Sequence, residues 1–156
     1  MIFVTVGTNE ARFDRLLHAV NALPRHEPLV VQRGSSEVVV ADATCVDFMP
    51  FEELTEYVAE AGTVVSHAGI GSIMISLRHG KRPIVVPRRR QFGEAVDDHQ
   101  VTLARQFDEA RLVRLVEDPA ILAEALTERD GAEIAWTSGT RLAGDLREYL
   151  TGALHS

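Results

Sequence analysis

The sequence predicts an α/β fold with a Rossmann-like, doubly wound parallel sheet, and two observations support this prediction. Short apolar runs rich in valine and isoleucine recur along the chain, and segments with helical spacing of apolar residues separate them. This alternation is typical of βαβ units, in which the strands are parallel and helices cover both faces of the sheet. The 156 residues contain no repeat, linker or low-complexity tract, so we expect a single domain over residues 1–156.

The predicted strands are short apolar runs, several of which are ended by glycine or proline. The first begins at Ile2 and stops before Gly7, and the run that ends at Phe48 is followed by Pro50. The predicted strands cover residues 2–6, 29–31, 38–40, 45–48, 63–66, 84–86 and 112–115.

The predicted helices place apolar residues three and four positions apart, which gathers these residues on one face. The first such segment covers residues 13–23, and Pro24 ends it. Gly80 ends the helix that begins at Ser72. The remaining predicted helices cover residues 51–61, 97 or 98 to 107, 119–129 and 138–154.

The composition argues against several classes of function. The chain carries 16 lysine and arginine residues and 23 aspartate and glutamate residues, and its net charge of −7 argues against nucleic acid as the main partner. The lone Cys45 forms no internal disulfide, and no cysteine or histidine cluster has zinc spacing, so we expect no metal site. No apolar run is long enough to span a bilayer and no targeting segment is recognisable, which predicts a cytoplasmic location.

Segment 66–72, with the sequence SHAGIGS, follows a predicted strand and leads into a predicted helix. A helix that opens at Ser72 has free N–H groups and a partial positive charge at its first turn, which together favour an anion. Gly69 and Gly71 allow a phosphate to approach the backbone closely, since neither has a Cβ atom. His67 lies at the carboxyl end of the strand, where open α/β sheets bind their ligands. We therefore expect a ligand that carries phosphate.

Segment 87–100, with the sequence PRRRQFGEAVDDHQ, follows the next strand and belongs to the same edge of the sheet. Its carboxylates, imidazole and amide provide donors and acceptors that suit the hydroxyl groups of a sugar. Each residue also has a structural interpretation. Asp97 or Asp98 is also suited to capping the next helix, and His99 to packing or to the surface. The arginines at 88–90 form either a solvated loop or a basic lip near an anionic ligand or membrane surface.

Together these segments resemble family 28 glycosyltransferases. The matching stretches are MIFVTVGT at 1–8, HAGIGS at 67–72, GK at 80–81, PIVVPR at 83–88, GE at 93–94 and DDHQ at 97–100. More narrowly, the chain resembles small stand-alone subunits equivalent to the C-terminal half of that family. One such subunit binds UDP-GlcNAc in eukaryotic lipid-linked oligosaccharide synthesis, and others serve bacterial exopolysaccharide and capsule synthesis. The resemblance, from Met1 to Leu115, implies the C-terminal Rossmann half of a GT-B enzyme.

The resemblance implies that the glycine turn holds the diphosphate of a UDP-sugar. By this match, His67 and the backbone and hydroxyl of Gly71 and Ser72 contact the phosphates. Gly7 and Thr8 would lie at the floor of the cleft, near the reacting phosphate and the acceptor.

The resemblance also implies where the base and the sugar bind. The loop that carries Phe48 and Met49 corresponds to the one that surrounds the uracil. Asp98, His99 and Gln100 correspond to residues that contact the hydroxyl groups of the transferred sugar.

One position departs from the family pattern. Many relatives carry a glutamate three residues after the serine, where it binds the ribose hydroxyls, but this chain has Ile75 there. Either Glu94 or a backbone group replaces that carboxylate, or the ribose is held more loosely. The departure favours the bacterial polysaccharide branch over the eukaryotic one.

The resemblance implies transfer of a hexose without a metal or other cofactor. The helix N-terminus and His67 would stabilise the leaving UDP electrostatically, with Arg88 adding to this effect. In two-domain relatives the general base and the acceptor site lie in the N-terminal half. We therefore expect this chain to be the donor-binding subunit, acting with a membrane-attached partner on a lipid-linked acceptor at the inner face of the membrane. The closing helix either docks on that partner or packs on its own domain, through Leu142, Leu146, Tyr149, Leu150 and Leu154.

Two alternatives belong to other classes. A non-enzymatic nucleotide-binding or regulatory module has the same fold, but it does not need the cluster of Asp98, His99 and Gln100. A dinucleotide oxidoreductase is supported only by the pair Gly69 and Gly71, because the first strand-to-helix turn lacks the pattern GxGxxG.

Overall fold

The computed structural model describes residues 1–127 and contains a parallel sheet of six strands in the order β3-β2-β1-β4-β5-β6. This confirms the predicted α/β fold with a parallel sheet. The strands are β1 (Ile2–Thr5), β2 (Leu29–Gln32), β3 (Thr44–Val46), β4 (Thr63–His67), β5 (Ile84–Val86) and β6 (Arg114–Leu115).

Five helices and two short 3-10 turns connect and flank the strands within residues 1–127. The 3-10 turns cover Arg90–Phe92 and Pro119–Ile121. The helices are α1 (Asp14–Asn21), α2 (Phe51–Glu60), α3 (Ile70–Arg78), α4 (His99–Glu109) and α5 (Leu122–Thr127).

The strand order reverses at β1, which pairs with β2 on one side and with β4 on the other. The register places the last residue of β1, Thr5, beside Gln32 of β2 and Ser66 of β4. In open α/β sheets the crevice at such a reversal, outside the carboxyl ends of the strands, is the usual ligand site.

The core lies on both faces of the sheet, since successive side chains of a strand point to opposite faces. On one face, Val4 packs in a cluster with residues of α1 and α5, among them Leu17. On the other face, Phe3 packs with residues of α2 and α3, and Val85 packs with residues of α3 and α4. Burial of each large apolar side chain contributes about 1.5–3 kcal/mol.

The structure differs from the prediction at residues 38–40, which form no strand. Val39 is 72% exposed, whereas Val38 and Val40 pack against the core cluster beneath α1. The alternation of these valines imitates a strand, but the segment pairs with none of the six strands, and β3 takes the place beside β2.

Several predicted boundaries also shift. The predicted strand 45–48 is Thr44–Val46, and the predicted strand 112–115 is Arg114–Leu115. The helix predicted at 119–129 begins as a 3-10 turn and becomes α-helical only at Leu122, while the helix predicted at 138–154 lies outside the described residues. No helix in residues 1–127 is long and apolar enough to cross a membrane.

Candidate functional site

The segments that follow β1, β3, β4 and β5 all leave the sheet at its carboxyl edge, because the strands are parallel. These segments carry the residues that the sequence singles out. The segment after β1 holds Gly7 and Thr8, and the segment after β3 holds Phe48 and Met49. The glycine turn follows β4, and segment 87–100 follows β5.

The ring of His67, the last residue of β4, lies between two glycines and is only 9% exposed. A Cβ atom on Gly7 would come within 2.5 Å of His67 Nε2, and a Cβ atom on Gly69 would come closer still. Gly7 also has φ = +81°, a conformation that other residues rarely adopt. The two glycines are therefore explained by the space that the His67 ring occupies. Gly71 differs, since a Cβ atom there would meet nothing within 4 Å.

The His67 imidazole is neutral at neutral pH. Burial lowers its pKa, and the positive charge of Arg88 lowers it further, to about 4, while a backbone interaction with Thr5 opposes the shift. A neutral ring can donate one hydrogen bond to a phosphate oxygen, but it carries no charge. Charge stabilisation by His67 therefore requires a bound anion that raises the pKa of the ring.

Helix α3 begins at Ile70, two residues earlier than predicted, with Gly69 as its N-cap. Gly69 has extended backbone angles, and no side chain caps the helix. The first intrahelical acceptor is the Gly69 carbonyl, which accepts from Ile73 N–H at 3.1 Å. The N–H groups of Ile70, Gly71 and Ser72 thus precede the first intrahelical bond, so the anion-binding end of α3 lies closer to His67 than predicted.

Arg88 is not part of an exposed lip, which corrects the expectation for this residue. It is fully buried, and its guanidinium donates to the carbonyls of Val6 at 2.8 Å, Ala11 at 2.9 Å and Glu94 at 3.1 Å. The guanidinium also lies 4.8 Å from the centre of the Phe13 ring. The Arg88 side chain therefore joins the first loop to segment 87–100.

Glu94 is not free to replace the missing ribose carboxylate. It is 3% exposed, and its two oxygens accept from Arg15 at 2.9 and 3.0 Å. One of these oxygens also accepts from the backbone N–H of Arg89 at 3.0 Å. The Arg15 guanidinium further lies 4.7 Å from the centre of the Phe92 ring. The carboxylate therefore holds segment 87–100 against α1.

Asp98, His99 and Gln100 lie at the start of α4, where Asp98 occupies the N-cap position. The Asp98 side chain accepts from Arg90 N–H at 3.0 Å and does not cap the helix. Gln100 Oε1 accepts from Arg88 N–H at 3.1 Å. These bonds fix the loop before α4, and the Asp98 and His99 side chains remain exposed at the edge of the sheet.

The remaining predicted residues differ in exposure. Phe48 is 55% exposed and Thr8 is exposed, whereas Met49 is half-buried against the cluster that contains Phe3. Ile75 is 7% exposed and belongs to that same cluster. A carboxylate at position 75 would therefore face an apolar surface of α2 in this chain, where an isoleucine is stabilising.

Sequence reasoning assigned no role to two residues that brace the fold, one at the edge of the sheet opposite the site and one at the site edge. Lys81 Nζ donates to the carbonyls of Val58 at 2.6 Å, Ala59 at 2.7 Å and Ala61, which neutralises the end of α2. Gln32 is a buried amide at the end of β2. In both cases the sequence shows only a polar residue beside an apolar run. The hydrogen-bond partners could not be predicted, because they are distant in the sequence.

Two comparisons with known sequences agree on the family. Residues 1–132 match the model of the glycosyltransferase family 28 C-terminal domain. The human UDP-N-acetylglucosamine transferase subunit ALG13 is 33% identical over 68% of this chain, which spans 10% of that protein. In Rhodospirillum rubrum, UDP-N-acetylglucosamine--N-acetylmuramyl-(pentapeptide) pyrophosphoryl-undecaprenol N-acetylglucosamine transferase is 32% identical over 69% of the chain, which spans 26% of that enzyme.

Solved structures match the fold over nearly the whole chain. CalG4, the calicheamicin glycosyltransferase, superposes with a TM-score of 0.62 at 16% identity, covering 96% of this chain and 43% of CalG4. The glycotransferase of kitacinnamycin gives a TM-score of 0.58 at 20% identity, covering 97% of this chain and 39% of that protein. The fold is that of the C-terminal half of GT-B glycosyltransferases, and the chain belongs to the glycosyltransferase family 28 C-terminal domain family.

Proposed function

We propose that this chain is the donor-binding subunit of a UDP-sugar-dependent hexosyltransferase. The observation that carries the proposal is the arrangement of His67 between Gly7 and Gly69, directly before the uncapped N-terminus of α3. The neutral imidazole donor and the free backbone N–H groups lie together at the start of α3, where they suit a diphosphate. The negative charge of that diphosphate increases as its bond to the sugar breaks.

The donor we propose is UDP-N-acetylglucosamine, for which the human and Rhodospirillum relatives are named. Its diphosphate binds at Ile70, Gly71 and Ser72, and His67 donates a hydrogen bond to it. In the transfer, an acceptor hydroxyl oxygen forms a bond to the anomeric carbon and its proton passes to a base of the partner. The bond between that carbon and the phosphate oxygen breaks, and the leaving UDP keeps the electron pair. The free N–H groups of α3 stabilise that charge without reorganisation.

The other ends of the donor lie on neighbouring loops of the same edge. The uracil packs on the loop of Phe48 and Met49, which presents an exposed aromatic ring. The sugar hydroxyls bind Asp98, His99 and Gln100 at the start of α4. Since the loop before α4 is fixed by hydrogen bonds of Asp98 and Gln100, these side chains need little ordering when the sugar binds.

A membrane-attached partner supplies the acceptor half of the enzyme in this proposal. Three relatives are named as subunits, which supports a two-chain enzyme. The buried carboxylate of segment 87–100, Glu94, is paired with Arg15 and is not available as a general base. In this proposal the partner contributes the base and the lipid-linked acceptor, as the N-terminal half does in two-domain relatives, and it recruits this chain to the inner face of the membrane.

Calorimetric titration of the purified chain with UDP-N-acetylglucosamine, UDP and NADH tests the proposal. We expect the two uridine ligands to bind and NADH not to bind. Labelled sugar should reach a lipid extract only when a membrane fraction from the source cell is added. Binding of UDP without any transfer under these conditions would instead favour a non-enzymatic nucleotide-binding module, and transfer by the isolated chain would refute the split enzyme.

A further inference from the structure

Gln32, the last residue of β2, is 3% exposed and all four hydrogen-bonding positions of its side chain are used. Oε1 accepts from Thr5 Oγ1 at 2.6 Å and from Gly7 N–H at 3.1 Å. Nε2 donates to the Gly7 carbonyl at 3.1 Å and to the Asp47 carbonyl at 2.7 Å. The orientation of the amide is fixed by these partners, because backbone N–H can only donate and carbonyls can only accept.

This one amide connects two different loops of the proposed donor site, because Oε1 and Nε2 both bind Gly7 and Nε2 also binds Asp47. On one side, Gln32 holds both polar backbone groups of Gly7, the residue whose missing Cβ makes room for the His67 ring. On the other side, it holds the carbonyl of Asp47, which directly precedes Phe48 and Met49.

We infer that Gln32 is a positioning residue that sets the distance between the phosphate-binding end and the base-binding end of the donor site. The inference rests on the proposed function, since it concerns the same site. A ligand that spans both loops, such as UDP, binds more tightly when the loops are already held at the correct spacing. Once one end of the ligand is bound, the other end then meets its loop without the entropic cost of ordering that loop. A ligand that touches one loop gains nothing from the spacing.

Two substitutions test this role. Gln32→Leu removes both connections, and we expect UDP to bind about tenfold more weakly while uridine and pyrophosphate each change by less than about twofold. Gln32→Glu keeps the oxygen that accepts from Thr5 and Gly7. It replaces the donating Nε2 by a second oxygen, which faces the carbonyls of Gly7 and Asp47. Those carbonyls favour the protonated acid, so lowering the pH restores a donor to Gly7 or Asp47. We therefore expect Gln32→Glu to regain UDP affinity between pH 8 and pH 5.5, by about fivefold relative to wild type.

Ser36→Ala provides the matched control. Ser36 is 4% exposed and its Oγ accepts from Phe13 N–H at 2.7 Å, so its loss also removes a buried hydrogen bond, one at the opposite end of the first loop from Gly7 and without contact to Asp47. Dissociation constants for all variants are measured by calorimetry for UDP and by NMR titration for uridine and pyrophosphate. Equal weakening of all three ligands in Gln32→Leu, or a pH profile of Gln32→Glu identical to wild type, overturns the positioning role while the proposed function stands. Wild-type protein that fails to bind UDP overturns both.

Discussion

Burial and the positive charge of the buried Arg88 both lower the pKa of His67, so a cation in the interior helps to keep a neighbouring imidazole uncharged. The Arg88 guanidinium donates to three backbone carbonyls in the interior and does not reach the surface. The consequence is a histidine that enters the proposed reaction as a neutral donor.

This relationship predicts a dependence of stability on pH. The pKa of His67 is about 4 in the folded chain against 6.5 when unfolded, so the unfolded state binds more protons between these values. The contribution of His67 to the free energy of unfolding is therefore fully present above pH 6.5 and is lost as the pH falls toward 4. The loss contributes up to about 3 kcal/mol. Urea denaturation at several pH values should show a smaller loss in His67→Gln than in wild type. Parallel curves would show that His67 is not buried as a neutral base.

His67→Ala and Ser72→Ala should each weaken UDP binding. A hydrogen bond to a charged group contributes about 1.5–3 kcal/mol, so the loss of affinity is tenfold or more. Calorimetry measures it, and circular dichroism checks that the fold is intact. His18→Ala, at an exposed histidine of α1, is the matched control and should bind UDP like wild type. Unchanged affinity in both site variants would refute the phosphate assignment.

Gly69→Ala should destabilise the chain by about 1–3 kcal/mol, because the new methyl group overlaps the His67 ring. Gly71→Ala, where a Cβ atom meets nothing within 4 Å, should be neutral or stabilising by up to about 1 kcal/mol, since alanine favours a helix. Urea denaturation compares the two. Introducing Gly69→Ala together with His67→Ala should recover most of the loss, and a sum of the separate losses would locate the clash elsewhere.

Glu94→Gln should not change the preference of the site for a ribose over a 2′-deoxyribose. Because Glu94 is engaged by Arg15, we expect the ratio of the dissociation constants of UDP and 2′-deoxy-UDP to match that of wild type. The free energy of unfolding should fall by about 3 kcal/mol, as Arg15 loses its charged partner in a half-buried place. Calorimetry and urea denaturation measure the two effects. A loss of preference for UDP over 2′-deoxy-UDP would show that the carboxylate does bind the ribose.

The order of strands and helices was predictable because each element has its own local pattern. Strands β1, β4 and β5 are apolar runs ended by a polar or turn residue, and helix α1 shows its periodicity directly. The strand prediction at residues 38–40 was wrong because the spacing of valines indicates only which side chains are buried. A strand also requires a neighbouring backbone to pair with. The start of α3 was misplaced because the helix has no side-chain cap, and Ser72 looked like one.

The edge of the sheet at which the candidate residues lie was predictable, but the partners of their charged side chains were not. His67, Gly69 and segment 87–100 lie at the expected edge, since parallel strands bring their carboxyl ends together. The protein contacts of Arg88 and Glu94 were not predictable, because most of their partners are far away in the sequence. Arg88 binds Val6 and Ala11, and Glu94 binds Arg15. Charge and proximity to a motif cannot distinguish a side chain that binds a ligand from one that braces the loop.

The ring of His67 occupies the space that side chains at positions 7 and 69 would need, which restricts how the three positions can change in the course of evolution. A lineage that acquires any larger residue at position 7 or 69 must first give up the histidine, and one that acquires the histidine must already have both glycines. The three substitutions are therefore accessible only in certain orders, although the residues come from two separate segments of the chain. In a set of related sequences, the histidine should be the last of the three to appear and the first to be lost.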